Sequence, residues 1–178
     1  MEFRVRKATM ADVDAIEAVM RDSLVGLSSR TYDPVQVQSS LAFVGHVDEW
    51  LIEDGTYFVA EANGSIVGCG GWSRRRKLYR GSGSAGSDAA LLDPGSDAAR
   101  VRAMFVATSW ARRGIARAIL DASERAARAE GFQRLELMSM MSAVEMYHAC
   151  GYLRGEDVAA KLEDGTDYPL VRMTKELA

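Results

Sequence analysis

The sequence predicts an α/β (α+β) fold, in which one mixed, twisted sheet of about seven strands carries helices on both faces. Two observations predict it: segments with alternating or β-branched residues, and segments with apolar residues at helical spacing. They follow each other along the chain in the order β-α-α-β-β-β-α-β-α-β-β. This order fits one sheet covered on both sides, and a length of 178 residues fits a single domain over residues 1–178.

The first part of the chain predicts a strand followed by two helices. Apolar and charged residues alternate over 3–6, and Thr9 with Asp12 resembles a capping box ahead of apolar residues at helical spacing. Asp33 and Pro34 are typical of a helix start. The apolar spacing that follows predicts that this second helix continues to Leu51.

The remaining elements are separated by clear turn signals. The pair Asn63-Gly64 predicts a hairpin between strands at 56–60 and 65–72. Residues 74–98 are basic and then rich in Gly, Ser and Asp, which predicts a long surface loop with one helical turn at 89–92. The G-x-G-x-x-G pattern at 81–86 within it lacks the strand and long helix that a dinucleotide site needs. The later segments predict a strand at 100–106, a helix ending at Gly131, a strand at 135–138, a helix at 143–150 and two strands joined at Asp164-Gly165.

Composition and charge argue against several classes of function. A formal net charge of -3 does not favour nucleic acid or acidic membranes, and no apolar run approaches the length of a membrane span. The N-terminus has no apolar signal segment, and the two cysteines predict reduced thiols in a cytoplasmic protein. Histidines and cysteines lack zinc-like spacing, so no metal is expected.

A basic turn between a strand and a helix is the most informative segment. The strand ends near Val106, and residues 112–117 (RRGIAR) open the long helix. Backbone N–H groups at a helix N-terminus bind anions, and the small residues Gly114 and Ala116 let a phosphate approach the backbone. On these residues alone, an ordinary connection with solvated arginines is an equal alternative.

A second segment makes the pattern more specific. The run RRGIA at 112–116, followed by SAVEMYHACGY at 142–152, resembles in order and spacing the pyrophosphate-binding turn and the second signature of the GNAT acetyltransferases. The resemblance extends over essentially the whole chain. Two positions depart from the family pattern: Ala111 stands where Gln or Arg is usual, and Ser142 stands where Asn is common.

The resemblance implies a mostly antiparallel sheet and acetyl-coenzyme A as co-substrate, with no metal. The pantetheine arm would lie along the strand ending at Val106, and Tyr147 would be the general acid that protonates the departing thiolate. The residues implied in coenzyme A binding are Phe105, Val106, Arg112, Arg113, Gly114, Ile115, Ala116, Arg117 and Ser142.

The general base stays open at this point. Many GNAT enzymes have a carboxylate on the strand before the turn, but residues 101–110 contain neither Asp nor Glu. Glu136 on the next strand is one candidate, although a solvent-facing carboxylate is the favoured interpretation of that residue. A chain of water molecules is another candidate.

The expected acceptor is the primary amine of a small molecule, with neither nucleic acid nor a membrane as partner. Tyr32, Trp72 and Tyr79 are predicted to line its pocket, with ordinary packing as the alternative for each. The basic run 74–77 is either a solvated loop or favours an acidic substrate. A homodimer is compatible with the resemblance, and a non-catalytic acyl-coenzyme A sensor is the alternative function.

Overall fold

The computed structural model describes residues 2–78 and 89–177. Tyr79 and the G-x-G-x-x-G pattern at 81–86 lie outside the described residues. The strands are β1 Arg4–Lys7, β2 Tyr57–Ala62, β3 Ser65–Ser73, β4 Ala99–Val106, β5 Arg134–Met140, β6 Leu153–Lys161 and β7 Asp167–Glu176. The helices are α1 Val13–Gly26, α2 Pro34–Phe43, α3 Glu49–Glu53, α4 Ile115–Ala129 and α5 Val144–Ala149.

Seven strands form one open sheet in the order β1-β2-β3-β4-β5-β7-β6. The pair β4–β5 is parallel and the other five pairs are antiparallel. The mixed, mostly antiparallel sheet expected from the sequence and the resemblance is therefore confirmed. Among the described residues, no helix has the length and apolar character needed to cross a membrane.

Helices cover both faces of the sheet, and each face has its own hydrophobic core. On one face, α1 buries Ile16 and Met20 against Val59 of β2. On the other, α4 buries Ile115 and Ile119 against residues that include Ala60 of β2. Because neighbouring residues of β2 point to opposite faces, this single strand contributes to both cores.

The second predicted helix is shorter than the sequence suggested. Asp33 begins α2 as expected, since its carboxylate accepts the N–H of Gln36 at 2.8 Å in a capping box. The helix then ends at Phe43, and the N–H groups of Val44 and Gly45 both donate to the carbonyl of Ser40. The apolar spacing over 37–51 therefore spans two helices, and the segment between them places Asp48 beside the central cavity.

The helical turn predicted at 89–92 is also incorrect over its second half. Leu91 forms an antiparallel bridge with Arg75, and the N–H of Leu92 donates to the carbonyl of Arg74 at 2.7 Å. This pairing fixes the residues after β3 against the segment that leads into β4.

Candidate active site

The strands β4 and β5 separate and create a cleft in the middle of the sheet. They pair only at Ala99–Leu135 and Arg100–Glu136, after which β4 continues to Val106 and β5 to Met140. Parallel strands that diverge leave room between them for an extended ligand that pairs with their backbone. A cavity of about 490 Å³ lies beside this cleft, lined by residues 101–105 of β4 and by Met138 and Met140 of β5.

A β-bulge directs β4 away from β5. Across β3 and β4 the register changes between Cys69–Phe105 and Gly71–Arg102, and Ala103 adopts a positive φ of 52°. Bulges of this kind bend the strand that carries them. The hydroxyl of Tyr57 donates to the carbonyl of Ala103 at 2.9 Å and so fixes the bulge from the α1 side.

Gly70 of β3 leaves room for the side chain of Met104 beside this bulge. A Cβ at Gly70 would lie 2.5 Å from the sulfur of Met104, so a larger residue would displace that side chain. Gly68 allows a similar close approach of α4, since a Cβ there would lie 2.5 Å from Ile115 at the start of that helix. Gly71 instead allows a close approach on the β2 side, where a Cβ would lie 2.3 Å from the carbonyl of Thr56.

The turn after β4 has the backbone shape of an anion site. Arg112 and Gly114 have positive φ values of 63° and 83°, and α4 begins at Ile115. The first N–H groups of a helix have no partner within it, and the helix dipole adds positive potential there. Gly114 is exposed, and a Cβ added to it would meet no atom within 4 Å, so this end of α4 is open to a phosphate.

The arginines of this turn differ in their surroundings. Arg112 and Arg113 are exposed, and the guanidinium of Arg113 lies 5.0 Å from the centre of the Trp110 ring. Arg117 donates to the carbonyl of Ala149 at 2.9 Å and so joins the N-terminal part of α4 to the end of α5. Arg112 and Arg113 are therefore the better placed of the three to meet a phosphate.

Tyr147 on α5 lines the same cavity. Its side chain is buried, and its ring packs edge-on against Tyr152 with the ring centres 5.6 Å apart. Burial raises the pKa of Tyr147 well above its usual value, so the phenol keeps its proton at neutral pH. Among the described residues, no hydrogen-bond partner of its hydroxyl is seen, which leaves that group available to a ligand.

Three charged side chains form a cluster in the cavity. The carboxylate of Asp48 lies 2.9 Å from the ammonium of Lys77 and 2.9 Å from the guanidinium of Arg102. Burial raises the pKa of Asp48, but the two cations outweigh burial and leave that pKa below its usual value. The opposite wall is largely apolar, with Met138, Met140 and Leu170 among its residues.

Comparison with known proteins identifies the family. The family model described as the acetyltransferase (GNAT) family matches residues 21–152, which is most of the chain. The chain belongs to the GNAT acetyltransferase family. Membership implies an acyl-coenzyme A-dependent acetyltransferase. No curated protein matches this chain in sequence.

Solved structures of other GNAT proteins share the fold. A GCN5-related N-acetyltransferase from Rhodopseudomonas palustris has a TM-score of 0.74 at 20% identity, over 99% of this chain and 97% of that one. The PaiA N-acetyltransferase from Thermoplasma acidophilum, solved with coenzyme A, has a TM-score of 0.67 at 14% identity, over 99% and 100% of the chains. YncA from Salmonella typhimurium, solved with its cofactor acetyl-CoA, has a TM-score of 0.65 at 18% identity, over 100% and 95%.

The residues predicted for coenzyme A binding are distributed along the cleft of this GNAT protein. Phe105 lines the cavity and Val106 ends β4, while residues 112–114 form the open turn and residues 115–117 begin α4. Ile115 is 1% exposed and packs against Gly68, so only its backbone can meet a phosphate. Ser142 is exposed in the short turn before α5, whereas its neighbour Ala143 lines the cavity.

Neither aromatic residue predicted for the acceptor pocket lines the cavity. Trp72 is 1% exposed and packs edge-on against Phe132 in the core under α4, on the opposite face from the acidic and basic cluster. Tyr32 is 4% exposed and stacks on Tyr168, with the ring centres 4.3 Å apart. Tyr168 lines the cavity, so Tyr32 supports its wall from behind. The packing interpretation fits both residues.

Glu136 is neither solvent-facing nor part of the cavity lining. It is 6% exposed and accepts hydrogen bonds from Arg100 of β4 and Arg172 of β7. Glu136 is therefore a structural residue that joins three strands. The sequence favoured a solvent-facing carboxylate at this position, and that expectation is wrong because the side chain is buried.

The sequence analysis missed the cluster of Asp48, Lys77 and Arg102. The basic run 74–77 was a partial signal, because Lys77 is its one member that lines the cavity. Asp48 was missed because the second helix was predicted to continue through it. Arg102 was missed because the bulge in β4 changes the face of the sheet that each residue of that strand occupies. Within the described residues, no group of three or more His, Cys, Asp or Glu side chains is arranged to hold a metal ion.

Proposed function

We propose that this GNAT protein transfers the acetyl group of acetyl-coenzyme A to the primary amine of a small molecule, with Tyr147 as proton donor to the departing sulfur. The observation that carries the proposal is the position of Tyr147, whose buried side chain lines the cavity beside the β4–β5 cleft. The open N-terminus of α4 lies at the far end of β4, where a pyrophosphate fits.

When bound, acetyl-coenzyme A supplies an activated thioester, whose C–S bond breaks as the amine nitrogen forms the new C–N bond. The N–H groups around Gly114 hold the pyrophosphate, and β4 aligns the pantetheine arm along the cleft. Tyr147 donates a hydrogen bond to the departing sulfur, the released thiolate takes a proton from solvent, and the amine releases its proton to solvent in the cavity. The nitrogen, carbon and sulfur atoms thus end as an amide and a free thiol.

The raised pKa of Tyr147 limits what this residue contributes. A thiol has a pKa of about 8.5 and a free tyrosine about 10, so complete transfer to the thiolate is uphill by at least about 2 kcal/mol. Tyr147 therefore stabilises the developing negative charge as a hydrogen-bond donor, and solvent restores the final proton balance. A positioned acid of this kind contributes about 100-fold or more to the rate.

The test is release of free thiol from acetyl-coenzyme A with a panel of small primary amines. We expect turnover with at least one amine, and the Tyr147→Phe substitution should lower kcat about 100-fold while coenzyme A binding, measured by calorimetry, is unchanged. Tyr152→Phe is the matched control, because it removes the adjacent hydroxyl, which contacts Glu124 rather than the cavity. Binding without turnover on any amine would contradict the proposal and favour an acyl-coenzyme A sensor.

A further inference from the structure

Tyr57 is a buried tyrosine of β2 whose hydroxyl reaches the strand that borders the cleft. Its side chain is 1% exposed and extends across β3, where its hydroxyl donates to the carbonyl of Ala103 on β4 at 2.9 Å. The thiol of Cys69, which is 0% exposed, lies 4.0 Å from the same carbonyl. Burial raises the pKa of Tyr57 well above its usual value, so the phenol remains a donor at neutral pH. This buried donor fixes the direction of one peptide group.

The peptide group that Tyr57 holds belongs to a strained residue. Ala103 has a φ of 52° and lies where the register between β3 and β4 shifts. A residue with a side chain rarely adopts this conformation, which persists only where the surrounding structure enforces it. The hydrogen bond from Tyr57 is one such constraint, and it acts beside the cavity that Ala103 lines.

The N–H on the other side of this peptide group faces the cleft. All peptide bonds of the described residues are trans, so the N–H of Met104 points opposite to the carbonyl of Ala103. The strand pairing agrees, because the N–H of Ala107 donates to Val67 of β3 at 2.9 Å and alternate residues of a strand direct their N–H groups to opposite sides. Met104 is three residues earlier, so its N–H is directed away from β3. On that side β5 has already separated from β4.

We propose that Tyr57 is a positioning residue for acetyl transfer: it keeps the N–H of Met104 directed into the cleft, where this group donates to the carbonyl oxygen of the bound thioester. This inference rests on the proposed function. The oxygen gains negative charge as the amine forms the C–N bond and loses it as the C–S bond breaks. A donor that is already oriented stabilises this charge without reorganisation. Tyr57 contacts no reacting atom and acts only through the peptide group of Ala103.

The first test measures the thioester carbonyl in the bound state, without any acceptor. Infrared spectroscopy follows acetyl-coenzyme A that carries ¹³C at the acetyl carbonyl. In Tyr57→Phe the carbonyl band should move to higher frequency than in the unaltered protein, because a weaker hydrogen bond leaves more double-bond character. Tyr152→Phe is the matched control, since it also removes a buried hydroxyl, one that contacts Glu124 instead of β4. The same band in Tyr57→Phe and in the unaltered protein would overturn the inference.

The kinetic constants separate positioning from a general loss of structure. Tyr57→Phe should lower kcat at least ten-fold and leave both the KM for the acceptor and the Kd for acetyl-coenzyme A within two-fold. This pattern is expected because the donor acts on charge that is present only in the transition state. A rise in KM or Kd with kcat unchanged would contradict the inference.

A second variant keeps the test possible if Tyr57→Phe does not fold. Ala103→Gly removes the strain, because glycine adopts a positive φ readily. Compared with Ala103→Gly alone, the double variant Tyr57→Phe, Ala103→Gly should still show the higher carbonyl frequency, whereas a purely structural role would leave the two bands equal.

The infrared measurement also separates this inference from the proposed function. If no amine is acetylated, a carbonyl band that depends on Tyr57 would still support positioning of the thioester, while the proposed transfer fails. If an amine is acetylated and the band does not depend on Tyr57, the inference is wrong and acetyl transfer stands.

Discussion

Replacing Glu136 by Gln removes the carboxylate that joins three strands of the sheet. Glu136 on β5 accepts from Arg100 on β4 and from Arg172 on β7, at the point where the cleft begins to open. The Glu136 side chain is 8% exposed, while Arg100 is 17% and Arg172 is 43% exposed. The substitution leaves Arg100 largely buried without its anion, and for that reason we expect a marked loss of stability.

The expected magnitude follows from these exposures. A hydrogen bond to a charged group contributes about 1.5–3 kcal/mol when it is buried, which applies to Arg100. The bond from the partly exposed Arg172 contributes up to about 1 kcal/mol, as surface ion pairs do. Glu136→Gln should therefore lower the free energy of unfolding by about 2–4 kcal/mol, a large part of the 5–15 kcal/mol typical of a folded domain.

Urea unfolding followed by circular dichroism measures this change. With a denaturant slope of about 2 kcal/mol per molar, the midpoint should fall by about 1–2 M. Glu156→Gln is the control, because Glu156 is 67% exposed and reaches Arg172 at 3.3 Å, so its loss should be within about 0.5 kcal/mol. Equal midpoints for the two variants would refute the structural role. A fall in kcat without a fall in stability would instead indicate that Glu136 is the general base.

Two further predictions concern contacts that position α1. Gly26→Ala should destabilise the fold by about 1–3 kcal/mol, because the new Cβ would lie 2.2 Å from the hydroxyl of Thr108 at the exit of β4. Asp12→Asn should cost about 1–3 kcal/mol at pH 7, since Asp12 accepts two hydrogen bonds from Arg6 that hold its pKa well below the usual value. Because the pKa of Asp12 is lower in the folded chain than in the unfolded chain, this stabilisation is fully present above the unfolded value of about 4, decreases progressively as pH falls below it, and is lost only as pH passes the lower folded pKa.

Both predictions have controls within the chain. Gly95→Ala adds the same methyl group where the nearest atom is 3.4 Å away, and it should change the midpoint of thermal unfolding little. Asp14→Asn changes an exposed carboxylate in the first turn of α1, and it should be nearly neutral at all pH values. If the stability difference for Asp12→Asn were the same at pH 3 and pH 7, the ion pair with Arg6 would not explain it.

The sheet and the turn before α4 were predictable because local signals specify them. Hairpin and cap residues such as Asn63-Gly64 and Asp33 act within a few neighbouring residues, and the structure has a turn and a helix start at those positions. The turn around Gly114 was also predictable from the sequence. Glycine adopts the positive φ that this turn needs directly before a helix.

The acceptor side of the site was not predictable, because it depends on which face each strand residue occupies. Residues 67–73 of β3 are all buried, so alternation in burial cannot tell whether Trp72 faces the cavity or α4. The bulge at Ala103 reverses the expected side for the residues after it in β4. The break after Phe43 was invisible too, since α2 and α3 both present apolar residues to the core at compatible spacing.

Thermal unfolding in the presence and absence of acetyl-coenzyme A tests the central claim most directly. At one hundred times the dissociation constant, a ligand that binds only the folded chain stabilises it by about 2.7 kcal/mol, which raises Tm by about 5–10 °C for this length. The shift should vanish in Gly114→Leu and persist in Gly64→Leu, because both glycines have positive φ and open surroundings but only Gly114 lies at the phosphate turn. No shift in the unaltered protein at saturating ligand, or an equal shift in Gly114→Leu, would contradict binding at this site.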